Sequence, residues 1–158
     1  MNWLEVCEHP DLQNLPFKIE LDETGKIIMA PTKVYHSIYQ GEIAYQLRTL
    51  SPTGKTLVEC AIATRKGTKV ADVAWASPER VATIWSEIEC SVAPELCVEV
   101  LSSTNTQKEM RAKRQLYFER GALEVWLCDA DGKLTFFDRT GPLEQSTLFP
   151  DFPVQLES

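Results

Sequence analysis

The sequence predicts an α/β fold, more closely α+β, in which a mixed β-sheet is flanked by helices. Three observations support this prediction. The chain has 158 residues, which is the size of one ordinary domain. Helix and strand patterns alternate along it, and one continuous apolar strand pattern indicates a sheet covered on both faces. No internal repeat or linker divides the sequence, so we expect a single domain over residues 1–158.

Turn residues separate the predicted elements of the first half of the chain. Asp22-Glu23-Thr24-Gly25 lies between two strand-like segments and indicates a hairpin. Thr32 is a suitable N-cap for a long helix. Residues 78–92 give no clear pattern. The predicted elements are a helix over 2–8, strands over 17–21 and 26–30, a helix over 32–50, a β-rich segment over 56–64 and a strand over 70–76.

The second half begins with Leu96–Leu101, a nearly continuous apolar run that is typical of a strand buried on both faces. A turn rich in capping residues follows, and Gly121 marks the end of the next helix. Ala130-Asp131-Gly132 indicates a hairpin. The predicted elements are a strand over 96–101, a helix over 107–120, strands over 125–128 and 133–137, and an irregular C-terminal segment.

The composition argues against several classes of protein. Apolar residues make up 44% and charged residues 25% of the chain, which is the balance of a soluble globular protein. No apolar run approaches the roughly 20 residues that span a bilayer, and the N-terminus lacks a secretory signal, so we expect a cytoplasmic protein. Five scattered cysteines and only two histidines argue against a structural zinc site. Reduced thiols packed in the core are the simpler interpretation.

The net charge of −7 argues against binding nucleic acid through bulk electrostatics. Two observations weaken that objection. Carboxylates that bind a metal add negative charge, which the bound cation then cancels. The positive residues are also clustered, over 65–69 and over 108–120. The net charge therefore leaves an enzyme acting on nucleic acid open.

Two carboxylates lie inside predicted buried strands. Glu99 interrupts the apolar run 96–101, and Asp72 shares its strand face with Val70 and Ala74. A buried carboxylate costs on the order of several kcal/mol unless it is paired or bound to a metal. The alternatives are a partly solvated face or an arginine partner for Glu99, and a strand-edge or turn position for Asp72.

Two helices also place a charged residue on a predicted apolar face. Lys113 falls between Leu116 and Tyr117 on the apolar stripe of its helix, although a lysine there can extend along its stem to solvent. Glu42 falls within the apolar arc of the long helix, where the alternative is a carboxylate on the helix flank. His36 lies at the far side of that arc, where a packing role is the alternative. The arc residues are Tyr35, Ile38, Ile43 and Tyr45.

Three carboxylates and one lysine form a chemically coherent set. Carboxylate oxygens are ligands for Mg²⁺ or Mn²⁺. A bound metal lowers the pKa of a water molecule and neutralises charge on a phosphoryl oxygen, and a nearby ammonium can orient that water or stabilise the transition state. The set therefore favours phosphodiester hydrolysis. The absence of Gly-x-Gly-x-x-Gly, Walker-type and Gly-x-Ser-x-Gly motifs argues against the chemistries that those motifs serve.

At these residues the sequence resembles the PD-(D/E)XK nuclease superfamily. It is most similar to the restriction-endonuclease-like family that is abundant in cyanobacteria and was long described as a domain of unknown function. The resemblance covers nearly the whole chain, and the combined order of its motifs is specific. The matching segments are Phe17–Leu21, Met29–Pro31 with His36 and Glu42, Val70–Val73, Glu95–Ser102, and the spaced set Lys113, Tyr117, Gly121 and Trp126.

This resemblance implies a restriction-endonuclease-like core and an endonuclease that depends on Mg²⁺ or Mn²⁺ and hydrolyses DNA phosphodiester bonds. It implies Asp72, Glu99 and the backbone carbonyl of Val100 as metal ligands. By analogy, Glu42 would line the site or hold a second ion. The motif's proline before the aspartate is replaced by Ala71.

The lysine of the motif, two residues after Glu99, is replaced by Leu101 in this sequence. The family pattern indicates that the lysine has moved to the next helix as Lys113, which the apolar stripe also identifies. Cutting both strands of a duplex would suit a homodimer. Two other interpretations stay open: a catalytically inactive nuclease-fold protein that binds nucleic acid or a protein partner, and a purely structural or oligomeric module. The sequence assigns no role to Glu20.

Overall fold

The computed structural model describes residues 1–157 of the chain. In chain order, its elements are α1 (Trp3–Glu8), a 3₁₀ turn (Pro10–Leu12), β1 (Phe17–Leu21), β2 (Ile27–Pro31), α2 (Val34–Leu50), β3 (Lys55–Thr64), β4 (Gly67–Ala76), α3 (Pro78–Ile84), β5 (Leu96–Val100), α4 (Gln107–Glu119), β6 (Glu124–Cys128), β7 (Leu134–Asp138) and β8 (Gly141–Leu143). Strands β1 and β2 form a separate hairpin, and the other strands form one sheet in the order β3-β4-β5-β6-β7-β8.

The six-stranded sheet is mixed. Its neighbouring strands are antiparallel except β5 and β6, which are parallel and joined through α4. Parallel neighbours need such a crossover, because a tight turn cannot bring the chain back in the same direction. The predicted fold class, a mixed sheet flanked by helices, is confirmed. None of the helices within residues 1–157 combines the length and apolar character that crossing a membrane requires.

Apolar side chains cover both faces of the six-stranded sheet. On one face, Ile43 of α2 packs with Val98 of β5, and both are fully buried. On the other face, Tyr117 of α4 packs with Cys97 of β5. Burying one such apolar side chain contributes roughly 1.5–3 kcal/mol. Because successive strand residues point to opposite faces, Glu99 lies on the same face as Cys97, towards α4.

The C-terminal segment is anchored by a buried carboxylate, Glu124, at the start of β6. Glu124 accepts hydrogen bonds from Trp126 Nε1 at 2.9 Å and from Ser146 Oγ at 2.6 Å. The backbone N–H groups of Thr147 and Leu148 also donate to it, at 2.9 and 2.8 Å. Four donors compensate the burial of the charge. The predicted irregular tail is therefore held at a defined position on the sheet.

The β1–β2 hairpin lies against β4 without joining the six-stranded sheet. Val70 N donates to Glu20 Oε2 at 2.7 Å, and Lys69 Nζ donates to the Leu21 carbonyl at 2.9 Å. This approach requires a glycine in the β3–β4 turn. Gly67 has φ +88°, and a Cβ atom there would lie 2.4 Å from the Leu21 carbonyl oxygen. The turn and the hairpin therefore fix each other's position.

Three sequence predictions of elements differ from the structure. The long helix begins at Val34 with Lys33 as its N-cap and no side-chain cap, so the prediction of Thr32 as N-cap is wrong. The segment without a clear pattern contains α3, at whose N-cap Ser77 Oγ accepts a hydrogen bond from Arg80 N. Strand β8, a short partner of β7 at the sheet edge, was not predicted because three residues carry no readable alternation.

Candidate active site

Two buried carboxylates lie side by side on neighbouring strands. Val73 of β4 pairs with Val98 of β5, so Asp72 and Glu99 follow one residue beyond that pair on antiparallel strands. Asp72 is 1% exposed and Glu99 is 3% exposed. Burial therefore excludes a solvated face for Glu99 and a strand-edge position for Asp72.

The ammonium group of Lys18, from β1, lies between these two carboxylates. Its Nζ is 3.1 Å from Asp72 Oδ1 and 2.9 Å from Glu99 Oε2. It also lies 4.0 Å from Glu20 Oε2 on the same strand. The partner of Glu99 is thus a lysine rather than the arginine considered as an alternative. Within the described part of the chain, Lys18 is the one residue that forms an ion pair with both buried acids.

Lys113 of α4 approaches the cluster from the other side. Its Nζ lies 3.0 Å from Glu99 Oε1 and 2.8 Å from Glu20 Oε2. Only 15% of its side chain is exposed. The alternative in which Lys113 extends to solvent is therefore wrong. Glu20, to which the sequence assigned no role, joins Lys113 to the β1–β2 hairpin.

Three further groups, Tyr117, His36 and the backbone of Val100, contact the two acids. Tyr117 donates its hydroxyl hydrogen to Glu99 Oε1 at 2.6 Å, and Val100 N donates to Asp72 Oδ2 at 2.7 Å. His36 Nε2 lies 3.2 Å from the same Asp72 oxygen. The other ring nitrogen of His36, Nδ1, is buried without a hydrogen-bond partner among residues 1–157. These contacts hold each carboxylate in one orientation.

The charges of the cluster shift its pKa values in different directions. Burial alone would raise the pKa of Asp72, but the hydrogen bond from His36 and the charge of Lys18 outweigh burial and hold that pKa well below its usual value. Burial is the largest effect on Glu99 and raises its pKa, although Lys113 and Lys18 oppose it. Burial would lower the pKa of Lys18, but the surrounding carboxylates raise it well above its usual value. Asp72 and Lys18 are therefore charged at neutral pH.

The donor set suits a hard divalent cation. Carboxylate oxygens are the ligands that Mg²⁺ and Mn²⁺ prefer, and one oxygen from each of Asp72 and Glu99 already lies within 3.1 Å of a single positive charge, that of Lys18. Residues 1–157 contain no group of three or more His, Cys, Asp or Glu side chains arranged to hold a metal ion. Asp72 and Glu99 supply two carboxylates to such a site, the ligand type that this class of ion prefers.

A cleft with a volume of about 540 Å³ opens onto this cluster. Lys18, Glu99 and Lys113 line it, together with apolar residues of β2 and of the first turns of α4. Lys66, from the β3–β4 turn, and Lys69, near the start of β4, lie along the same cleft and add positive charge to it. The cleft therefore connects solvent with the buried acids past a group of lysines.

Glu42 does not belong to this site. It lies exposed on α2 and accepts a hydrogen bond from Gln46 Nε2 at 3.0 Å. The predicted apolar arc of α2 is wrong, because Ile38 is 59% and Tyr45 is 67% exposed. The buried face of the helix consists of His36, Tyr39, Ile43 and Leu47. The predicted role of Glu42 in the site is corrected accordingly.

The structure brings together Asp72, Glu99 and Lys113, three of the residues that the sequence selected. Val100 lines the cleft and donates its N–H to Asp72, while the role of its carbonyl stays a prediction. Sequence reasoning missed Lys18. A signal existed, since Lys18 and Glu20 place two charges on one face of a strand between Phe17, Ile19 and Leu21. A separate signal pointed to His36, which lies at helical spacing from the buried apolar residues of α2.

Comparisons with known proteins give two findings. The model of the Uma2 family, described as “Putative restriction endonuclease”, matches residues 4–153. A crystal structure described as “a putative nuclease belonging to DUF820” from Anabaena variabilis ATCC 29413 shares 19% identity and superimposes with a TM-score of 0.66, covering 84% of this chain and 78% of that one. At this identity, the likeness concerns the fold. No protein with a curated description matches the chain.

Proposed function

The chain belongs to the Uma2 family, described as “Putative restriction endonuclease”, and from this premise we propose that it is an endonuclease that depends on Mg²⁺ or Mn²⁺ and hydrolyses DNA phosphodiester bonds. One observation carries the proposal. Two buried carboxylates on adjacent strands share one cation at the end of a cleft that three further lysines line. A purely structural core gains little stability from such an arrangement, because the desolvation cost of buried charges offsets their attraction.

Asp72 and Glu99 would hold the divalent ion, with the Val100 carbonyl as a further ligand by family analogy. A bound ion supplies Lewis acidity towards a phosphoryl oxygen and a lowered pKa for a water molecule. The protein's own part is to fix the two acids. Tyr117 orients Glu99, and His36 with Val100 N orients Asp72.

Lys113 is the group that we assign to the reaction itself. Its ammonium reaches the cleft from α4 and is held between Glu20 and Glu99. In that position it can orient an attacking water or stabilise negative charge that develops on the phosphoryl oxygens. Lys66 and Lys69 provide local positive charge for the phosphate backbone, which the net charge of −7 would otherwise repel.

Cleavage of supercoiled plasmid and of single-stranded DNA, with Mg²⁺ or Mn²⁺ and with a chelator, tests the proposal. Asp72→Asn should abolish measurable cleavage, and Lys113→Met should lower the rate by about 10²–10³-fold, as expected for loss of one charge-stabilising group. Lys108→Met is the matched control, because Lys108 is exposed on the same helix. Cleavage that is equal in wild type and Asp72→Asn would contradict the assignment.

A second candidate function is a nuclease-fold protein that binds DNA without cutting it. The observation that favours it is Lys18, which already satisfies both acids without a metal ion. Such a protein would bind DNA equally well as wild type and as Asp72→Asn, with no cleavage by either. We also propose a homodimer, which would present one site to each strand of a duplex. Light scattering coupled to size-exclusion chromatography measures the oligomeric state directly.

A further inference from the structure

Lys18 occupies the position at which both buried acids offer an oxygen. We propose that Lys18 is an internal competitor for the divalent ion: its ammonium holds Asp72 and Glu99 together in the metal-free protein and must leave before an ion binds. The inference rests on the proposed function only in taking Asp72 and Glu99 as the metal ligands. It makes metal binding an exchange of one cation for another.

The contact distances require this exchange. Lys18 Nζ lies 3.1 Å from Asp72 Oδ1 and 2.9 Å from Glu99 Oε2, so each acid already directs one oxygen to the ammonium. Mg²⁺ needs its oxygen ligands at about 2.1 Å. An ion that takes both of those oxygens would be in contact with the ammonium. Two cations cannot share the position.

Access to the site leads to the same conclusion. Lys18 and Glu99 line the cleft, whereas Asp72, which is 1% exposed, does not. An ion that enters from the cleft therefore meets the ammonium of Lys18 before it reaches Asp72. The lysine thus restricts access to the more deeply buried of the two acids.

The charge balance of the cluster also favours withdrawal of Lys18. Three carboxylates and two ammonium groups contact one another there, and counted as fully ionised they sum to a formal charge of −1. A divalent ion added with Lys18 in place would leave a net charge of +1 in a buried site. With Lys18 withdrawn, the ion leaves the cluster neutral, which is the less costly state at low dielectric. The contacting residues are Lys18, Glu20, Asp72, Glu99 and Lys113.

Lys18 has room to move away from the two acids, and Lys113 is not an equivalent competitor for the divalent ion. Lys18 Nζ is 4.0 Å from Glu20 Oε2, and its side chain faces the open cleft. Rotation of its flexible stem moves the ammonium away from the two acids into the open cleft. Lys113 contacts Glu99 and Glu20 and, within residues 1–157, forms no ion pair with Asp72. Among residues 1–157, Lys18 is the side chain whose ion pairs bridge the two proposed ligands.

Titration calorimetry with Mn²⁺ on the full chain, without DNA, tests the inference. Lys18→Met should bind Mn²⁺ at least tenfold more tightly than wild type, because the competing cation is gone. Lys108→Met removes the same charge from the exposed start of α4 without touching the acids, so it should stay within about threefold of wild type. Unchanged or weaker Mn²⁺ binding by Lys18→Met would overturn the inference.

A second variant decides the question if Lys18→Met does not fold. Lys18→Arg keeps the charge and can bond both carboxylates through a planar fork, so it should bind Mn²⁺ at least tenfold more weakly than wild type. Equal affinity in Lys18→Arg and wild type would then count against competition. Mn²⁺ binding that follows these expectations without DNA cleavage would refute the proposed function alone, and the two ideas therefore fail separately.

Discussion

Replacement of Tyr117 by phenylalanine isolates one hydrogen bond of the candidate site. The Tyr117 hydroxyl is fully buried and donates to Glu99 Oε1 at 2.6 Å. Phenylalanine preserves the ring and its packing against the sheet, so the change removes the donor alone. The carboxylate keeps Lys113 as a partner of the same oxygen. We therefore expect a folded protein in which the Glu99 carboxylate is less firmly held.

The expected size of the effect follows from the geometry. A hydrogen bond to a charged group contributes roughly 1.5–3 kcal/mol, and no solvent reaches this buried hydroxyl to replace the lost donor. Since Lys113 still compensates Glu99, we expect about 2 kcal/mol less stability for Tyr117→Phe. Loss of a group that orients a metal ligand lowers metal affinity by about 10–100-fold. Mn²⁺ affinity should fall within that range.

Two measurements check this prediction, and the chain offers a matched control. Denaturant unfolding gives the free-energy change, and calorimetry gives the Mn²⁺ affinity. Tyr35→Phe removes the same hydroxyl group from a bond to the neutral Leu101 carbonyl, 2.8 Å away. It should cost about 1 kcal/mol and leave Mn²⁺ affinity unchanged. Equal stability and equal affinity of Tyr117→Phe and wild type would refute the reasoning about Glu99.

Three further predictions follow from other contacts. Glu42→Ala should leave the cleavage rate unchanged and alter stability by no more than about 0.5 kcal/mol, because Glu42 is exposed. A loss of activity would show that Glu42 belongs to the site. Glu124→Gln should lower the free energy of unfolding by about 1–3 kcal/mol and speed hydrogen exchange at the amides of Thr147 and Leu148. Unchanged exchange at these amides would contradict this prediction. Asp72 has a lowered pKa in the folded state, so its stabilising contribution is present above pH 4 or so and is lost as the pH falls further. Unfolding curves of Asp72→Asn should therefore depend less on pH below about 4, and equal dependence would disprove this.

The predictions that succeeded rest on patterns that short segments carry. Helix α4 presents a clear apolar stripe through Met110, Leu116 and Tyr117, all of them buried, so a lysine on that stripe stands out. The strand β5 is buried at every residue, which makes Glu99 equally conspicuous. The sheet and its flanking helices follow from the same periodicities.

The predictions that failed concern residues whose role depends on distant parts of the chain. The side chains of α2 give a weak stripe, because large apolar residues such as Tyr45 face solvent while His36 is buried. A lysine in a short hairpin strand is ordinary by itself. Lys18 becomes informative only through carboxylates 54 and 81 positions away, and no local pattern reports that distance. The tertiary arrangement alone reveals it.

The hairpin outside the main sheet has a consequence for how such proteins diversify. The six-stranded sheet carries Asp72 and Glu99, whereas the cation between them comes from a separately built element that touches the sheet at β4 and Gly67. Exchange of residues 17–31 between relatives would therefore transplant the lysine and its neighbour Glu20 as one unit. Such chimaeras would take their metal affinity from the donor hairpin and their architecture from the recipient sheet, provided that the glycine at the junction is kept.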